Sequence, residues 1–423
     1  MKIVYIADTR AIGGAERYLV TLVEATARSG HEVLLLAPQE DLVRWLAREA
    51  PSARTIRAIS DAYQDAPSQS RRGAALLALL PDLVRQLSRL APDVVHVNNG
   101  GFPGSDLCRI VMPAARLARI PVRVMTVNSN PWPRDRLADR FVQAAVDPLV
   151  WSSAHAVISP SRAVADGLRE RRGMAAEIGR LIYYGVPPAP HNPRTVADLR
   201  RRLAPAGELL VGMVSARPVA AKGYGVLVEA LACAGERVRG VLVGPPPQAL
   251  VAGTDDGLLA RLVLEGPRRN VGDYYAAFDV LVVPSTAEEC MPLVILEAAS
   301  VGTPSFASRL SGIPEAITEG VEGALFEPGS AAQLAELIRS AERDRGRTAA
   351  MGSAARERWS RQFRLDTMVS RTLAVYGERA SRRNAIDREQ IAAQPAVLQT
   401  LGDGKRAEAA LDERDRAGYR TPG

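Results

Sequence analysis

The sequence has little cysteine, few aromatic residues and no long apolar run. Its three cysteines, Cys108, Cys233 and Cys290, lie far apart and form no CxxC pair. That argues against a disulfide framework or a thiolate metal cluster and for reduced thiols in a cytosol. Aromatics are 5% of the 423 residues and arginine is scattered, not blocked, so nucleic acid is a poor partner. No Asp-x-Asp occurs, so the clustered carboxylates that hold a divalent metal beside a nucleotide are missing. The start, MKIVYIADTR, has too short an apolar run for a signal peptide. The longest apolar candidate, GAALLALLPDLV, is below membrane-spanning length and carries a proline.

What is present is the composition of a soluble globular protein, 47% hydrophobic and 24% charged, long enough for two or three domains. A net charge of +7 suits a negatively charged substrate or an anionic membrane face without choosing between them.

The chain is organised around Pro284 to Gly302, PSTAEECMPLVILEAASVG. The apolar run Val280 to Val283 ahead of it reads as a strand. From Pro292 the pattern is helical, with Leu293, Leu296 and Ala299 on one face and Gly302 at the stop. With Pro292 at the first helical position, the N–H groups of Leu293, Val294 and Ile295 would face the loop and suit a phosphate. Glu289 in the loop and Glu297 in the helix would repel phosphate, so their use is to accept hydrogen bonds from hydroxyls, as carboxylates do from ribose. Taken alone, such a glutamate pair also arises by chance on solvated faces.

Strand and helix patterns alternate along most of the chain. Lys2 to Ala7 is a strand, Asp8 to Gly14 a loop, Ala15 to Ala27 a helix and His31 to Leu36 the next strand. Strand patterns follow at Thr55 to Ile59, Val94 to Val97, Val122 to Val127 and Ala156 to Ile158. Helical ones lie at Gly73 to Leu90, Asp106 to Ala118, Arg136 to Ser152 and Ser161 to Arg171. Proline-rich Leu181 to Leu203 breaks the rhythm, which restarts with strands from Glu208, Val238, Leu259, Asp279, Ser305 and Ala324. The fold class is α/β, two doubly wound Rossmann-like domains facing a cleft. The expected boundaries are 1–186 for the first domain, 187–207 for a hinge, 208–355 for the second domain and 356–377 for a closing helix. Residues 378–423 form a polar tail, either a solvated helix or disordered.

Arg217-x4-Lys222-Gly223 follows the first strand of the second domain. Arginine grips oxygens bidentately and lysine adds a compact charge, so the pair can neutralise a diphosphate leaving group. Gly13-Gly14-Ala15-Glu16-Arg17 opens the first helix, where two glycines let the backbone approach a ligand. His96 and Asn128 are read as strand ends of the first domain. His96 could serve as a base, although a lone strand-end histidine is more often structural. Asp8 is a second candidate base, and Asn128 cannot be one.

Glu289-x7-Glu297 with Ala298-Ala299-x-x-Gly302-Thr303-Pro304, together with Arg217-x4-Lys222-Gly223, Gly13-Gly14 and Ser311-Gly312-Ile313-Pro314-Glu315, resembles the retaining family-4 glycosyltransferases (glycosyl transferases group 1) of GT-B fold. The resemblance covers about residues 1 to 377. It implies a metal-independent hexosyltransferase moving a sugar from a UDP- or GDP-linked donor to a hydroxyl of a sugar, lipid-linked glycan or small molecule. The setting would be glycan, glycolipid or glycosylated natural-product biosynthesis. It also implies that the last helix crosses back to the first domain and that the loop at Gly13 and Gly14 lies near donor phosphates and acceptor. Loops near the nucleotide are expected at Gly244-Pro245-Pro246-Pro247, and Glu265-Gly266 with Asp273-Tyr274-Tyr275 should border the base.

Catalysis is thereby assigned to Arg217, Lys222 and Glu289. Donor binding is assigned to these with Gly14, Met291, Pro292, Leu293, Val294 and Glu297. Gly13, Gly14, His96 and Asn128 form the acceptor side, and no residue is assigned to a metal or further cofactor. Related enzymes often carry histidine where Asn128 stands. The expected location is the cytosol, with peripheral contact at the inner membrane face left open. The rival readings are a nucleotide-sugar epimerase of similar shape and a non-catalytic sugar-nucleotide or glycan-binding protein.

Overall fold

The computed structural model describes residues 1–9, 12–57, 69–132, 137–245, 257, 261–287 and 289–392; along 69–78, 137–143 and 379–392 it describes the helical backbone alone. Pro246 and Pro247, Glu288, the start of the expected strand at Leu259, the end of that at Thr55, and the tail beyond 392 lie outside the described residues. The chain divides into two units, Met1–Tyr376 and Gly377–Gly423. The first holds both sheets. The second is helical as far as Ala392.

The first half runs β1 (Lys2–Ala7), α1 (Gly14–Arg28), β2 (Glu32–Ala37), α2 (Glu40–Glu49), β3 (Arg54–Arg57), α3 (Gln69–Leu90), β4 (Val94–Asn99), α4 (Asp106–Leu117), β5 (Val122–Val127), α5 (Leu137–Ser153), β6 (Ala156–Ser159), α6 (Arg162–Arg172) and β7 (Gly179–Leu181). All strands are parallel, in the order β3-β2-β1-β4-β5-β6-β7. KIVYIA is buried almost throughout, as expected of a parallel strand covered on both faces.

The second half runs α7 (Pro193–Leu203), β8 (Leu209–Val214), α8 (Tyr224–Ala234), β9 (Val238–Val243), β10 (Leu262–Gly266), α9 (Gly272–Ala277), β11 (Val280–Val283), α10 (Leu293–Val301), β12 (Ser305–Ser308), α11 (Ile313–Ala316), β13 (Gly323–Phe326), α12 (Ala331–Arg343), α13 (Arg345–Gln362) and α14 (Leu365–Ala392) among the described residues. Its parallel sheet has the order β10-β9-β8-β11-β12-β13. The strand order therefore reverses between β1 and β4 in one half and between β8 and β11 in the other. Ligands of such sheets bind outside the carboxyl ends of the strands at those switch points.

Two expectations need correction. Residues 187–207 are not one linker. Asn192 caps α7 by accepting the N–H of Arg194 at 2.9 Å, and Pro193 sits in the first turn. Leu199 and Leu203 are buried, and Arg200 pairs with Asp279 at 2.8 Å, so α7 belongs to the second half. The return to the first half also comes later than residue 356. Val186 donates to Phe363 O at 3.0 Å, and Leu365 donates to Val186 O at 3.2 Å. From there α14 carries Tyr376 to Tyr5, their hydroxyls 3.2 Å apart. No described helix is long and apolar enough to cross a membrane.

Candidate active site

The loops leaving β8 and β11 meet at the switch point of the second sheet. Gly223 has φ 75°, and a Cβ there would lie 1.7 Å from the Pro284 carbonyl oxygen, so only glycine lets the loops touch. Thr286 N–H donates to Ala221 O at 2.9 Å across the same contact. The hydroxyls of Tyr224 and Ser215 both donate to Arg217 O, at 2.9 and 3.1 Å. These bonds fix the backbone of Arg217, while its side chain is exposed and has no hydrogen bond or ion pair among the described residues.

Lys222 Nζ donates to Glu289 Oε1, which also accepts from Ser285 Oγ at 2.9 Å. Side-chain exposure is 32% for Lys222 and 16% for Glu289, so the pair is partly shielded and open on one side. Beside it starts α10. Pro292 is the residue before the first helical position, which Leu293 occupies; this moves the expected start by one. Ile295 N–H is taken by Pro292 O at 3.1 Å, so it does not face the loop as a free donor. The N–H groups of Leu293 and Val294 have no partner among the described residues. Met291 is buried, 2% exposed.

Glu297 accepts from the Tyr275 hydroxyl at 2.7 Å. Burial pushes its carboxyl above the ordinary range, opposed by that hydrogen bond and by the Arg17 guanidinium. Two stretches expected at the base are engaged within the protein. Burial alone would raise Glu265, but hydrogen bonds from Arg202, Tyr274 and Arg268 outweigh it and hold the carboxyl at about 2. Asp273 accepts from Asn192 N–H at 2.6 Å and from Asn270 Nδ2 at 2.7 Å, which secures α7.

At the carboxyl edge of the first sheet, Gly13 N–H donates to Glu16 Oε2 at 2.7 Å. Gly14 begins α1, is exposed, and a Cβ there would meet nothing within 4 Å, so no protein contact demands glycine at that position.

His96 is corrected from an acceptor-side candidate to a core residue. It lies within β4, not at its end, and is 1% exposed. Its Nδ1 shares a hydrogen bond with the Tyr376 hydroxyl and its Nε2 with Thr126 Oγ1 at 2.7 Å. Burial lowers its pKa to about 3, so the ring is neutral and enclosed. Asn128 does follow β5. Its Nδ2 donates to Asn98 Oδ1 at 2.8 Å and Asn99 O at 3.0 Å, and its Oδ1 accepts from Tyr184 at 2.7 Å. Both Asn128 side-chain atoms are therefore engaged inside the protein. Both carboxylate oxygens of Asp8 are also engaged, by Gln39 and Ser105.

The carboxyl edges of the two sheets face each other. Asn130, beyond β5, donates to Ser311 Oγ, beyond β12, at 2.5 Å. Cys290 Sγ lies 3.8 Å from Ser161 Oγ. A Cβ on Gly312 would come within 1.8 Å of Cys290 O and 2.8 Å of Ser161 Cβ, so SGIPE is pressed into this junction. Sequence reasoning singled out SGIPE without its partner, expected Tyr275 at the base and not on Glu297, and gave Ser285 and Arg17 no role of their own. A hydroxyl seven residues before the loop's proline is too common a pattern to single out Ser285.

Two family models match the chain: Glycosyltransferase Family 4 over residues 12–189 and Glycosyl transferases group 1 over residues 208–344. A D-inositol 3-phosphate glycosyltransferase of Xylanimonas cellulosilytica is 26% identical over 400 residues, covering 88% of this chain and 93% of that protein. A GDP-mannose-dependent alpha-(1-6)-phosphatidylinositol monomannoside mannosyltransferase of Mycobacterium tuberculosis is 29% identical over 194 residues, 43% of this chain and 50% of that protein. Among solved structures, Anabaena HepE in complex with UDP superposes with a TM-score of 0.75 at 24% identity, over 89% of this chain and 100% of that one. At that identity the likeness is one of fold.

Proposed function

This chain belongs to the family-4, group 1 glycosyltransferases, and on that premise we propose that it transfers a sugar from a nucleotide-diphosphate donor to an acceptor hydroxyl with retention of configuration and without a metal. One observation carries the reading. Lys222, Glu289, Arg217 and the start of α10 converge at the β8/β11 switch point, where a doubly wound sheet binds its ligand.

In this reading the diphosphate lies against Arg217, Lys222 and the N–H groups of Leu293 and Val294, Glu297 accepts the ribose hydroxyls and Glu289 holds sugar hydroxyls. The bond from the anomeric carbon to the phosphate oxygen breaks with its electron pair going to the diphosphate. Cationic neighbours stabilise that charge as it grows. The acceptor oxygen bonds to the anomeric carbon on the face the diphosphate leaves. Its proton passes to a phosphate oxygen. Support for this route comes from the first half: His96 is buried and neutral and Asp8 is already hydrogen-bonded on both oxygens, so neither is placed as a free base.

The relatives are named as transferases, which favours transfer over the epimerase and the non-catalytic binding readings. Their names and titles include both UDP and GDP, and the donor here is proposed to carry one of these. The acceptor is a sugar, a lipid-linked glycan or a small molecule. The net charge of +7 supports peripheral contact with an anionic membrane face. NMR of the product tests the mechanism: a donor-like anomeric coupling is expected, and inversion from an α-linked donor overturns retention.

A further inference from the structure

Tyr275 is fully buried on α9, and its hydroxyl donates to Glu297 Oε2 at 2.7 Å. Burial pushes the phenol well above its ordinary 10, so it stays a donor at any neutral pH. Its backbone is held from two directions. Thr303, just beyond α10, donates its hydroxyl to Tyr275 O at 2.6 Å. A Cβ on Gly272 would come within 2.0 Å of Pro190 O, so the start of α9 is pressed against the segment that leads to α7.

The carboxylate that Tyr275 meets is engaged on one side only. Glu297 Oε1 has no hydrogen bond among the described residues, and it is not one of the enclosed polar atoms left without a partner. Glu297 stands one turn beyond Leu293 on the same face of α10. Side chains on a helix lean towards its N-terminus, so Glu297 leans back over the turn that offers the N–H groups of Leu293 and Val294. One oxygen is thus tied inward to α9, and the other is left for a ligand at the start of α10.

A free glutamate loses the freedom of its side-chain torsions when a ligand hydroxyl arrives. A buried phenol that already holds one oxygen removes much of that cost beforehand. The same hydrogen bond favours the anion over the neutral acid, and the anion is the stronger acceptor.

We propose that Tyr275 is a positioning residue for the ribose: it holds the Glu297 carboxylate with Oε1 turned to the ribose hydroxyls, and so sets how strongly the site prefers a nucleotide that carries them. The inference rests on the reading of Glu297 given above. Its test uses the full-length protein, wild type, Tyr275→Phe, Thr303→Val, Glu297→Ala and the Y275F/E297A double variant. Each is titrated by calorimetry with UDP, GDP and the 2′,3′-dideoxy form of both. For the base that wild type binds, the ribose form should be preferred by about tenfold or more. Y275F keeps the ring and loses only the hydroxyl. It should weaken the ribose form by about three- to tenfold and leave the dideoxy form within about twofold. T303V should act in the same direction and more weakly, because it loosens the Tyr275 backbone. Once Glu297 is alanine, Y275F should add no further loss.

Unchanged affinities in Y275F, equal losses for both forms, or a loss that persists without the Glu297 carboxylate would mean that Tyr275 does not position Glu297 for the ribose. Each overturns the inference while leaving the ribose reading of Glu297 standing. A wild type that binds both forms alike, an E297A variant that keeps the preference, or a wild type that binds neither UDP nor GDP overturns that reading and the inference with it.

Discussion

The Glu315 carboxylate of the second half accepts the backbone N–H of Arg162, the first residue of a first-half helix, at 2.7 Å. Its other oxygen accepts Ala163 N–H at 3.0 Å. Ser161 supplies the ordinary cap of that helix, accepting from Val164 N–H at 3.3 Å. One helix start is thus capped from both halves, and a negative charge sits where its dipole favours one.

Replacing Glu315 with alanine should destabilise the chain by about 1 kcal/mol, the usual effect of losing a cap. It should also loosen the junction, giving a larger radius of gyration in solution scattering without nucleotide. Glu315→Gln should lie between, since its one carbonyl oxygen replaces two. An unchanged radius and midpoint for E315A would show that the contact holds nothing.

Lys222→Ala should lower turnover by about two to three orders of magnitude, the range for removing one group that stabilises developing charge. The effect on stability should be much smaller, because the ion pair with Glu289 is partly exposed. Turnover within about threefold of wild type would remove Lys222 from the machinery.

Activity should survive a strong chelator. In the proposed site the cations Arg217 and Lys222 would meet the diphosphate in place of a metal, and the sequence has no Asp-x-Asp. Loss with EDTA, restored by magnesium or manganese, would show otherwise.

Glu297 provides a pH test. Burial raises its carboxyl above the ordinary 4.5. In the proposed site the anion accepts ribose hydroxyls, so donor affinity should rise with pH through a window above 4.5. Over the same window stability should fall, because the unfolded chain releases its proton first and the folded chain must bury a charge. Glu297→Gln should flatten both trends at once. Donor affinity that keeps the same pH profile in this variant would detach Glu297 from the ribose.

Tyr376→Phe should cost about 1–3 kcal/mol, because it leaves a buried His96 nitrogen without its partner. The pH dependence of turnover should not move, since His96 is enclosed. The depressed pKa of His96 makes stability fall as pH drops from 6.5 towards about 3, where the unfolded chain takes up the proton the folded one refuses. Urea midpoints at neutral pH and in that window check both.

Much of the fold was legible because parallel strands covered on both faces read as near-continuous apolar runs; KIVYIA and VLVV are of this kind. The loops of the second half were legible because Arg217, Lys222, Glu289 and Pro292 sit at strand ends. What escaped had weak local signals or distant partners. β7 is only GRL and forms by pairing with β6. α7 was hidden by its neighbouring prolines, although Asn192-Pro193 is itself a helix start. His96 could not be placed in the core from its neighbours, since Tyr376 lies 280 residues away. Glu315 depends on the other half for its meaning, and a single strand–helix pattern carries no record of that.

The return of the last long helix to the first sheet bears on how the chain is made. A ribosome releases β1 and β4 early, yet the hydroxyl that meets Tyr5 and His96 is on Tyr376, 280 residues after His96. Until then the oldest part of the molecule waits with polar side chains uncovered. A nascent or truncated chain stopping before Tyr376 therefore lacks this support in its earliest-made strands.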